Sequence, residues 1–176
     1  MPPIPIMGMM TSHPDAGLSI VGASVRQLLV HPDERGRLFE ILRADDPEFV
    51  RFGQVYVTTA HPGMVKAWHH HRQQTDYFCL IQGRARFALY DARTGSASRG
   101  LIDEIVCDGD SPQLIVIPPG VYHGFKCIGD TDAICINCPT APYNSADPDE
   151  QRLDPFENEI PYDWRSDRSA SSSRAL

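Results

Sequence analysis

The sequence predicts an all-β domain built as a β-sandwich or β-barrel. Short segments rich in β-branched and aromatic residues alternate with turn signals such as Gln82-Gly83 and Pro118-Pro119-Gly120. The chain also carries 15 prolines and 13 glycines, as a fold with many turns requires. Strands alternating with long helices, which a parallel α/β sheet needs, are absent from the pattern.

The predicted elements follow one another along the chain as short strands. One helical candidate, at Asp45–Val50, is a single turn long. Strands of this length and spacing are typical of closed or two-layered β structures. The predicted strands are Ser24–Val30, Arg37–Arg43, Gly53–Thr59, Met64–His71, Asp76–Ile81, Ala85–Tyr90, Ile102–Cys107, Gln113–Ile117, Val121–Ile128 and Asp132–Cys138.

The chain is predicted to hold one domain between two tails. A length of 176 residues suits a single core. Residues 1–17 are rich in Pro, Gly and Met without periodicity, and indicate a flexible arm. Residues 18–164 form the β domain, with a short helical or irregular segment at its C-terminal end. Residues 165–176 are polar and Ser-rich, which predicts a disordered tail.

Composition excludes several classes of partner. A formal net charge of -7 gives the chain no electrostatic basis for binding nucleic acid. No apolar run approaches the ~20 residues that span a bilayer, so no membrane association is expected. The five cysteines are an odd number, and the N-terminus lacks a secretory pattern. We therefore expect a cytoplasmic protein with reduced thiols.

The densest chemical signal is the run Trp68-His69-His70-His71. Residues two apart in a strand share a face, so His69 and His71 are expected to point the same way. Asp76 begins the next strand, and His123 follows the turn at Pro118–Gly120. Three imidazoles and a carboxylate can bind a divalent metal such as Zn, Fe, Mn or Ni. A barrel interior lined with polar side chains and no metal fits the same pattern.

These spacings resemble the two cupin motifs. The first corresponds to Gly63, His69, His71, Asp76 and Gly83, and the second to Pro118, Gly120 and His123. The resemblance implies a cupin double-stranded β-barrel, or jelly roll. Asp76 stands where cupins usually carry Glu.

A more specific resemblance covers most of residues 33–167. Three segments are similar to the dTDP-4-dehydrorhamnose 3,5-epimerase family: Asp33–Glu40, Lys66–His69 and Ile117–Phe125. Members of that family are cupin barrels, usually homodimers. They invert stereocentres beside the C4 ketone of a nucleotide-linked 4-keto-6-deoxy sugar and use no metal.

The resemblance also implies roles for individual residues. His69 matches the catalytic base, and Asp167 the carboxylate that orients it. Lys66 stands where the family has an Arg, and His123 matches a pocket histidine. A base with a pKa near neutral suits proton removal beside a ketone. The positions that hold the nucleotide part in the family are Arg35, Glu40 and Gln54.

Three departures indicate a divergent branch. The position of the family's catalytic acid, a Tyr, is occupied by Ile136. Asp76 replaces a pocket Lys, and His71 replaces a Gln. We expect another tyrosine to supply the acid, with Tyr143 as the first candidate. The other tyrosines considered are Tyr122, Tyr77 and Tyr56.

The leading hypothesis is therefore an epimerase or isomerase that acts on a nucleotide-linked 4-keto-6-deoxy sugar, with dTDP as the nucleotide. Because the family's Tyr is missing, reaction at one carbon fits better than double inversion. No cofactor is needed for this reaction. Two alternatives stay open: a metal-dependent oxygenase or lyase that uses His69, His71, Asp76 and His123, and a non-catalytic cupin that binds a sugar nucleotide.

Overall fold

The computed structural model describes residues 17–166, and these residues form twelve β-strands. The arm at 1–16, the tail from 167 onward and Asp167 itself lie outside the described residues. Within the described range there is no helix that could cross a membrane. The strands are β1 (Ser24–Gln27), β2 (Val30–Asp33), β3 (Gly36–Phe39), β4 (Tyr56–Ala60), β5 (Val65–His71), β6 (Asp76–Gln82), β7 (Arg84–Asp91), β8 (Ile102–Asp108), β9 (Gln113–Ile117), β10 (Val121–Cys127), β11 (Ala133–Asn137) and β12 (Glu150–Arg152).

Two five-stranded antiparallel sheets make up the barrel. The first sheet has the order β1-β9-β6-β11-β4, and the second has the order β12-β5-β10-β7-β8. From β4 onward the chain repeatedly crosses from one sheet to the other, which is the jelly-roll arrangement. The predicted all-β cupin barrel is therefore confirmed. A separate hairpin of β2 and β3 packs outside the first sheet.

The space between the sheets is filled by large apolar side chains. Phe78 on β6, Phe87 on β7 and Phe125 on β10 are each at most 2% exposed. The rings of Phe87 and Phe125 stack with centroids 5.2 Å apart. Burying one such side chain stabilises the fold by roughly 1.5–3 kcal/mol. This core occupies part of the barrel and leaves the remainder for a cavity.

A β-bulge interrupts the pairing of β5 with β10. His123 lies opposite His69, whereas Phe125 lies opposite Lys66. Over this stretch β5 therefore contains one more residue than β10. Because the bulge changes the alternation, Lys66 and His69 both face the barrel cavity. Trp68 instead packs in an apolar cluster on the outer face with Trp164.

The C-terminal segment covers that outer face. The rings of Trp68 and Trp164 lie 5.0 Å apart between centroids. Arg86, which is 2% exposed, donates a hydrogen bond of 2.8 Å from Nη2 to the Ser166 carbonyl. The last described residues are therefore held against the second sheet, although the sequence placed the start of a disordered tail at residue 165.

Two sequence expectations about secondary structure are wrong. The helical candidate Asp45–Val50 forms turns, with the Asp46 carbonyl accepting from the Phe49 backbone N–H at 3.0 Å. Strand β12 was not expected, because Glu150-Gln151-Arg152 is polar throughout. It forms because β5 offers an open edge on which it pairs.

The cysteines behave as buried apolar side chains. All five are free, and Cys79, Cys107, Cys127 and Cys135 are buried. Burial raises the pKa of Cys79 and of Cys107 to about 12, so both thiols are protonated at neutral pH.

Gly124 is required by the close approach of β10 to β5. An alanine Cβ at this position would overlap the Cβ of Ala67. We expect Gly124→Ala to lower the free energy of unfolding by about 1–3 kcal/mol, the usual cost of overpacking. Urea denaturation measures the change. Gly17→Ala is the matched control, since nothing lies within 4 Å of the Cβ added there. Equal stability of the two variants would contradict this packing.

Candidate active site in the barrel

Three histidines meet on the inner face of the second sheet. His69 and His71 lie on β5, and His123 lies directly opposite His69 on β10. The rings of His69 and His123 are 4.1 Å apart between centroids, and those of His69 and His71 are 5.9 Å apart. One ring nitrogen from each of the three lies within 4.8 Å of the others. The structure thus brings together the histidines that the sequence singled out.

Asp76 faces this cluster from the first sheet. Its Oδ2 lies 3.3 Å from His123 Nε2 and 3.4 Å from His71 Nε2. Its Oδ1 accepts hydrogen bonds of 2.8 Å from Gln74 Nε2 and from Asn137 Nδ2. The carboxylate is 1% exposed, so protein groups have to compensate its charge.

The surroundings of His123 determine where its protons lie. Its Nδ1 is 3.0 Å from the Val121 carbonyl, which can only accept, so we assign a proton to Nδ1. If the ring of His123 is neutral, the lone pair of its Nε2 points toward the Asp76 carboxylate. His123 Nε2 and Asp76 Oδ2 lie 3.3 Å apart, and neither atom has a hydrogen-bond partner among the described residues, so a proton or a cation between them would satisfy both.

Burial and neighbouring charges set the protonation states of the other groups. Burial alone would raise the pKa of Asp76, but interactions with His123, His71 and Asn137 lower it to about 2. Burial, followed by the charge of His123, holds the pKa of His69 well below 6.5. Burial also lowers the pKa of His71. At neutral pH His69 is therefore a neutral imidazole that can accept a proton.

A cavity of about 740 Å³ opens in front of His69. Its volume lies in the range that small-molecule sites occupy. Lys66 contributes a charged group at the cavity, with Nζ 3.1 Å from Thr58 Oγ1. The lining residues are Gln54, Tyr56, Thr58, Val65, Lys66, Ala67, Trp68, His69, His71, Gln74, Phe78, Phe125, Tyr143, Glu150, Arg152 and Pro155.

A smaller cavity of about 190 Å³ adjoins the first. The two share His71 and Tyr143 among their lining residues. Arg51 and Arg72 line the smaller one, where Arg51 Nε donates to the Thr140 carbonyl at 2.9 Å. The lining of the two cavities carries three arginines, Arg51, Arg72 and Arg152, together with the carboxylates of Asp147, Asp149 and Glu150.

The other predicted site residues divide into two groups. Gln54 lines the large cavity, and its Oε1 accepts a hydrogen bond of 3.1 Å from the backbone N–H of Tyr143. Arg35 and Glu40 do not line either of these two cavities. Arg35 hydrogen-bonds Asp33 within its hairpin turn, and Glu40 accepts from Arg43 at 2.9 Å.

Sequence reasoning missed two site residues, Arg152 and Asn137. Arg152 lines the large cavity and lies opposite His69 in the pairing of β12 with β5. Asn137 is fully buried and joins Asp76 to Tyr56 through its side-chain amide. The only sequence signal for Asn137 is an amide at the end of an otherwise apolar strand.

A match to a protein-family model shows which family this chain belongs to. The polysaccharide biosynthesis C-terminal domain family matches residues 31–151. The chain belongs to this family. The match includes all three histidines of the cluster and Asp76.

Curated relatives agree with that assignment. The chain is 36% identical over 149 residues to a spore coat polysaccharide biosynthesis protein of Bacillus subtilis, covering 84% of this chain and 98% of the relative. It is 39% identical over 151 residues to a probable low-salt glycan biosynthesis epimerase of Haloferax volcanii, covering 85% and 97%. A dTDP-4-dehydrorhamnose 3,5-epimerase of Mycobacterium tuberculosis is 27% identical over 135 residues, covering 72% and 66%. The predicted resemblance to that family is confirmed.

Solved structures show the same barrel. A dTDP sugar isomerase from Desulfovibrio desulfuricans superposes with a TM-score of 0.79 at 33% identity, covering 83% of this chain and 92% of that one. A 3'-monoepimerase from Streptomyces bikiniensis, solved in complex with dTDP-quinovose, has a TM-score of 0.76 at 23% identity and covers 89% and 82%. The second likeness concerns the fold alone.

The contact between Asp76 and His71 can be tested by titration. Burial lowers the pKa of His71, and the charge of Asp76 opposes that change. We therefore expect Asp76→Asn to lower the pKa of His71 further. NMR titration of the imidazole signals, with EDTA present, measures it. Asp130→Asn, in the turn between β10 and β11, is the control and should leave His71 unchanged. A raised His71 pKa in Asp76→Asn would contradict the contact.

Proposed function

We propose that this chain, a sugar-nucleotide epimerase, inverts one stereocentre beside the ketone of a dTDP-linked 4-keto-6-deoxy sugar. The observation that supports the reaction most directly is His69, an imidazole kept neutral by burial at the wall of a cavity large enough for a sugar nucleotide. A carbon-bound proton beside a ketone is weakly acidic and needs a positioned base of this kind.

The first step is proton abstraction by His69. The C–H bond beside the ketone breaks, its electron pair forms the enolate, and His69 becomes an imidazolium. The enolate oxygen then requires positive charge or hydrogen-bond donors. Lys66, whose Nζ lies at the same cavity, supplies the first of these. His123, whose ring lies 4.1 Å from that of His69, is the second group that we assign to this role. Return of a proton to the opposite face of the carbon completes the inversion.

The two adjoining cavities also suit the nucleotide part of such a substrate. Gln54 and Arg152 line the large cavity, and Arg51 and Arg72 line the adjoining one. Arginine side chains pair well with diphosphate oxygens. The structural neighbour from Streptomyces bikiniensis holds a dTDP-sugar, which supports the same class of ligand here. Arg35 and Glu40 remain predicted nucleotide contacts.

The histidine cluster also fits a divalent metal ion. Asp76 Oδ2 and His123 Nε2 are buried, lack hydrogen-bond partners among the described residues and face each other. His69, His71, Asp76 and His123 would hold the ion, which would supply Lewis acidity. However, a ring nitrogen that ligates a metal has no lone pair left to accept a proton. We therefore propose that a proton joins Asp76 Oδ2 to His123 Nε2 and that His69 works without a metal.

The oxygenase or lyase and the non-catalytic alternatives are not favoured. The curated relatives include a probable epimerase and a dTDP-4-dehydrorhamnose 3,5-epimerase. The structural neighbours are named as an isomerase and a monoepimerase.

Proton exchange in D₂O tests the assignment of the base. With dTDP-4-keto-6-deoxyglucose, we expect the wild-type protein to exchange one ring proton beside the ketone, followed by NMR. His69→Ala should slow this exchange by about 10²–10⁴-fold, the usual contribution of a general base. His61→Ala is the matched control, because His61 is 80% exposed at a turn and pairs with Asp132.

The same assay, run with and without EDTA, separates the two interpretations of the cluster. Unchanged exchange in EDTA is the expected result, since His69 needs its lone pair. Loss of exchange in EDTA, restored by Zn or Mn, would contradict it and place a metal at the cluster. Exchange by His69→Ala at the wild-type rate would show that His69 is not the base.

We also propose that the enzyme is a homodimer. Large apolar side chains between Leu29 and Val57 are exposed, among them Phe52 at 65% and Val57 at 59%. Exposed apolar patches of this kind are typical of protein interfaces. Val57 and its neighbour Ile136 in the pairing lie on the outer face of the first sheet, away from the cavity. A second copy packed on this face would cover Val57 and Ile136.

Sedimentation tests the homodimer. We expect the wild-type protein to sediment as a dimer and Val57→Asp to shift it toward monomer, because a buried unpaired carboxylate is costly. Val106→Asp is the matched control, since Val106 is 41% exposed on the edge strand β8. A wild-type monomer at micromolar concentration would contradict the proposal.

The cytoplasmic location also stays a proposal. It is supported by five cysteines that remain free. Free thiols persist where the compartment is reducing.

A further inference from the structure

We propose that Tyr56 is the proton donor that completes the inversion, acting from the sheet opposite His69. This inference rests on the proposed epimerase function and assigns the acid that the reaction needs. Tyr143 was the first candidate from the sequence, and the structure provides grounds for choosing between the tyrosines.

Two of the four candidate tyrosines face away from the cavity. Tyr122 lies in the outer apolar cluster with its ring 4.4 Å from that of His70. The Tyr77 hydroxyl donates to the Glu48 carbonyl at 2.7 Å and accepts from the Val50 backbone N–H at 3.0 Å. Tyr56 and Tyr143 both line the large cavity. Of these two, Tyr143 is 63% exposed at the rim, whereas Tyr56 is 36% exposed.

Tyr56 lies on the correct wall for a second catalytic group. His69 belongs to the second sheet, and Tyr56 starts β4 at the edge of the first sheet. Within the first sheet, Tyr56 lies opposite Asn137, and their side chains share the inner face. Ile136, where the family carries its Tyr, lies opposite Val57 and points outward. A base and an acid on opposite walls can address the two faces of one carbon.

The hydrogen bonds of Asn137 leave the Tyr56 proton available. Asn137 Oδ1 accepts from the Tyr77 backbone N–H at 3.0 Å, which fixes the orientation of the amide. Its Nδ2 therefore donates both hydrogens, one to Tyr56 Oη at 2.9 Å and one to Asp76 Oδ1 at 2.8 Å. Tyr56 Oη is an acceptor in this bond. Its own proton is taken by no described residue and can be directed into the cavity.

The same amide assists the proton transfer. When the enolate carbon takes the proton from Tyr56 Oη, a new C–H bond forms, the enolate returns to the ketone and a phenolate remains. The N–H of Asn137 already donates to this oxygen, and hydrogen bonds to charged acceptors are stronger. Water in the cavity then reprotonates the phenolate, while His69 gives its proton to solvent. Burial raises the pKa of free Tyr56 to about 12, so the group is fully protonated when substrate binds.

Separating exchange from inversion tests this assignment. In Tyr56→Phe, His69 still removes the proton, exchanges it with D₂O and returns deuterium to the same face. We expect labelling of the substrate within about threefold of the wild-type rate and formation of the epimer slowed by at least about 100-fold. NMR of the ring protons follows both processes in one sample. A purely structural role of Tyr56 would lower labelling and inversion together.

Two further variants sharpen the result. Tyr77→Phe removes a hydrogen-bonded hydroxyl outside the cavity and should invert and label as the wild type does. Inversion by Tyr56→Phe at the wild-type rate, or loss of inversion in Tyr143→Phe alone, overturns the inference and leaves the proposed function intact. Absence of any exchange in the wild-type protein overturns the proposed function and this inference with it.

Discussion

Asp76 carries a negative charge into the centre of a barrel, and the polar groups around it compensate that charge. The carboxylate is almost fully shielded from solvent, where an uncompensated ion costs several kcal/mol. Two amide groups, from Gln74 and Asn137, satisfy Oδ1. Oδ2 faces the Nε2 atoms of His71 and His123. Burial, followed by the charge of His123, holds the pKa of His69 well below 6.5, so this imidazole is neutral at neutral pH.

The two sheets carry different groups of the candidate site. The second sheet carries the imidazoles and Lys66, whereas the first carries Asp76, Asn137 and Tyr56. An inversion needs one catalytic group on each side of a planar intermediate. The two sheets of the barrel face each other, so each inner face can supply one of these groups. Within the first sheet, the amide of Asn137 joins the Asp76 carboxylate, which faces the histidine cluster, to the Tyr56 hydroxyl.

Local patterns in the sequence predicted an all-β sandwich or barrel and a shared face for His69 and His71. The jelly roll, and the place of His123 beside these histidines, were implied by the resemblance to the cupin motifs. The bulge that directs Lys66 into the cavity depends on how β5 pairs with β10. The local sequence pattern of either strand does not predict this pairing. Strand β12, and with it Arg152, forms only on an existing edge. The role proposed for Tyr56 depends on its hydrogen bond with Asn137, which lies 81 residues away in the chain.

Because β12 pairs with β5, the surroundings of His69 depend on a segment that is synthesised later than the histidine itself. Arg152 lies opposite His69, and the segment that carries it leaves the ribosome long after the histidine does. Until β12 pairs, the edge of β5 beside His69 is open. Burial is the largest cause of the lowered pKa of His69, and the charge of Arg152 is a smaller one. The electrostatic environment of His69 is therefore completed by a segment that follows it far along the chain.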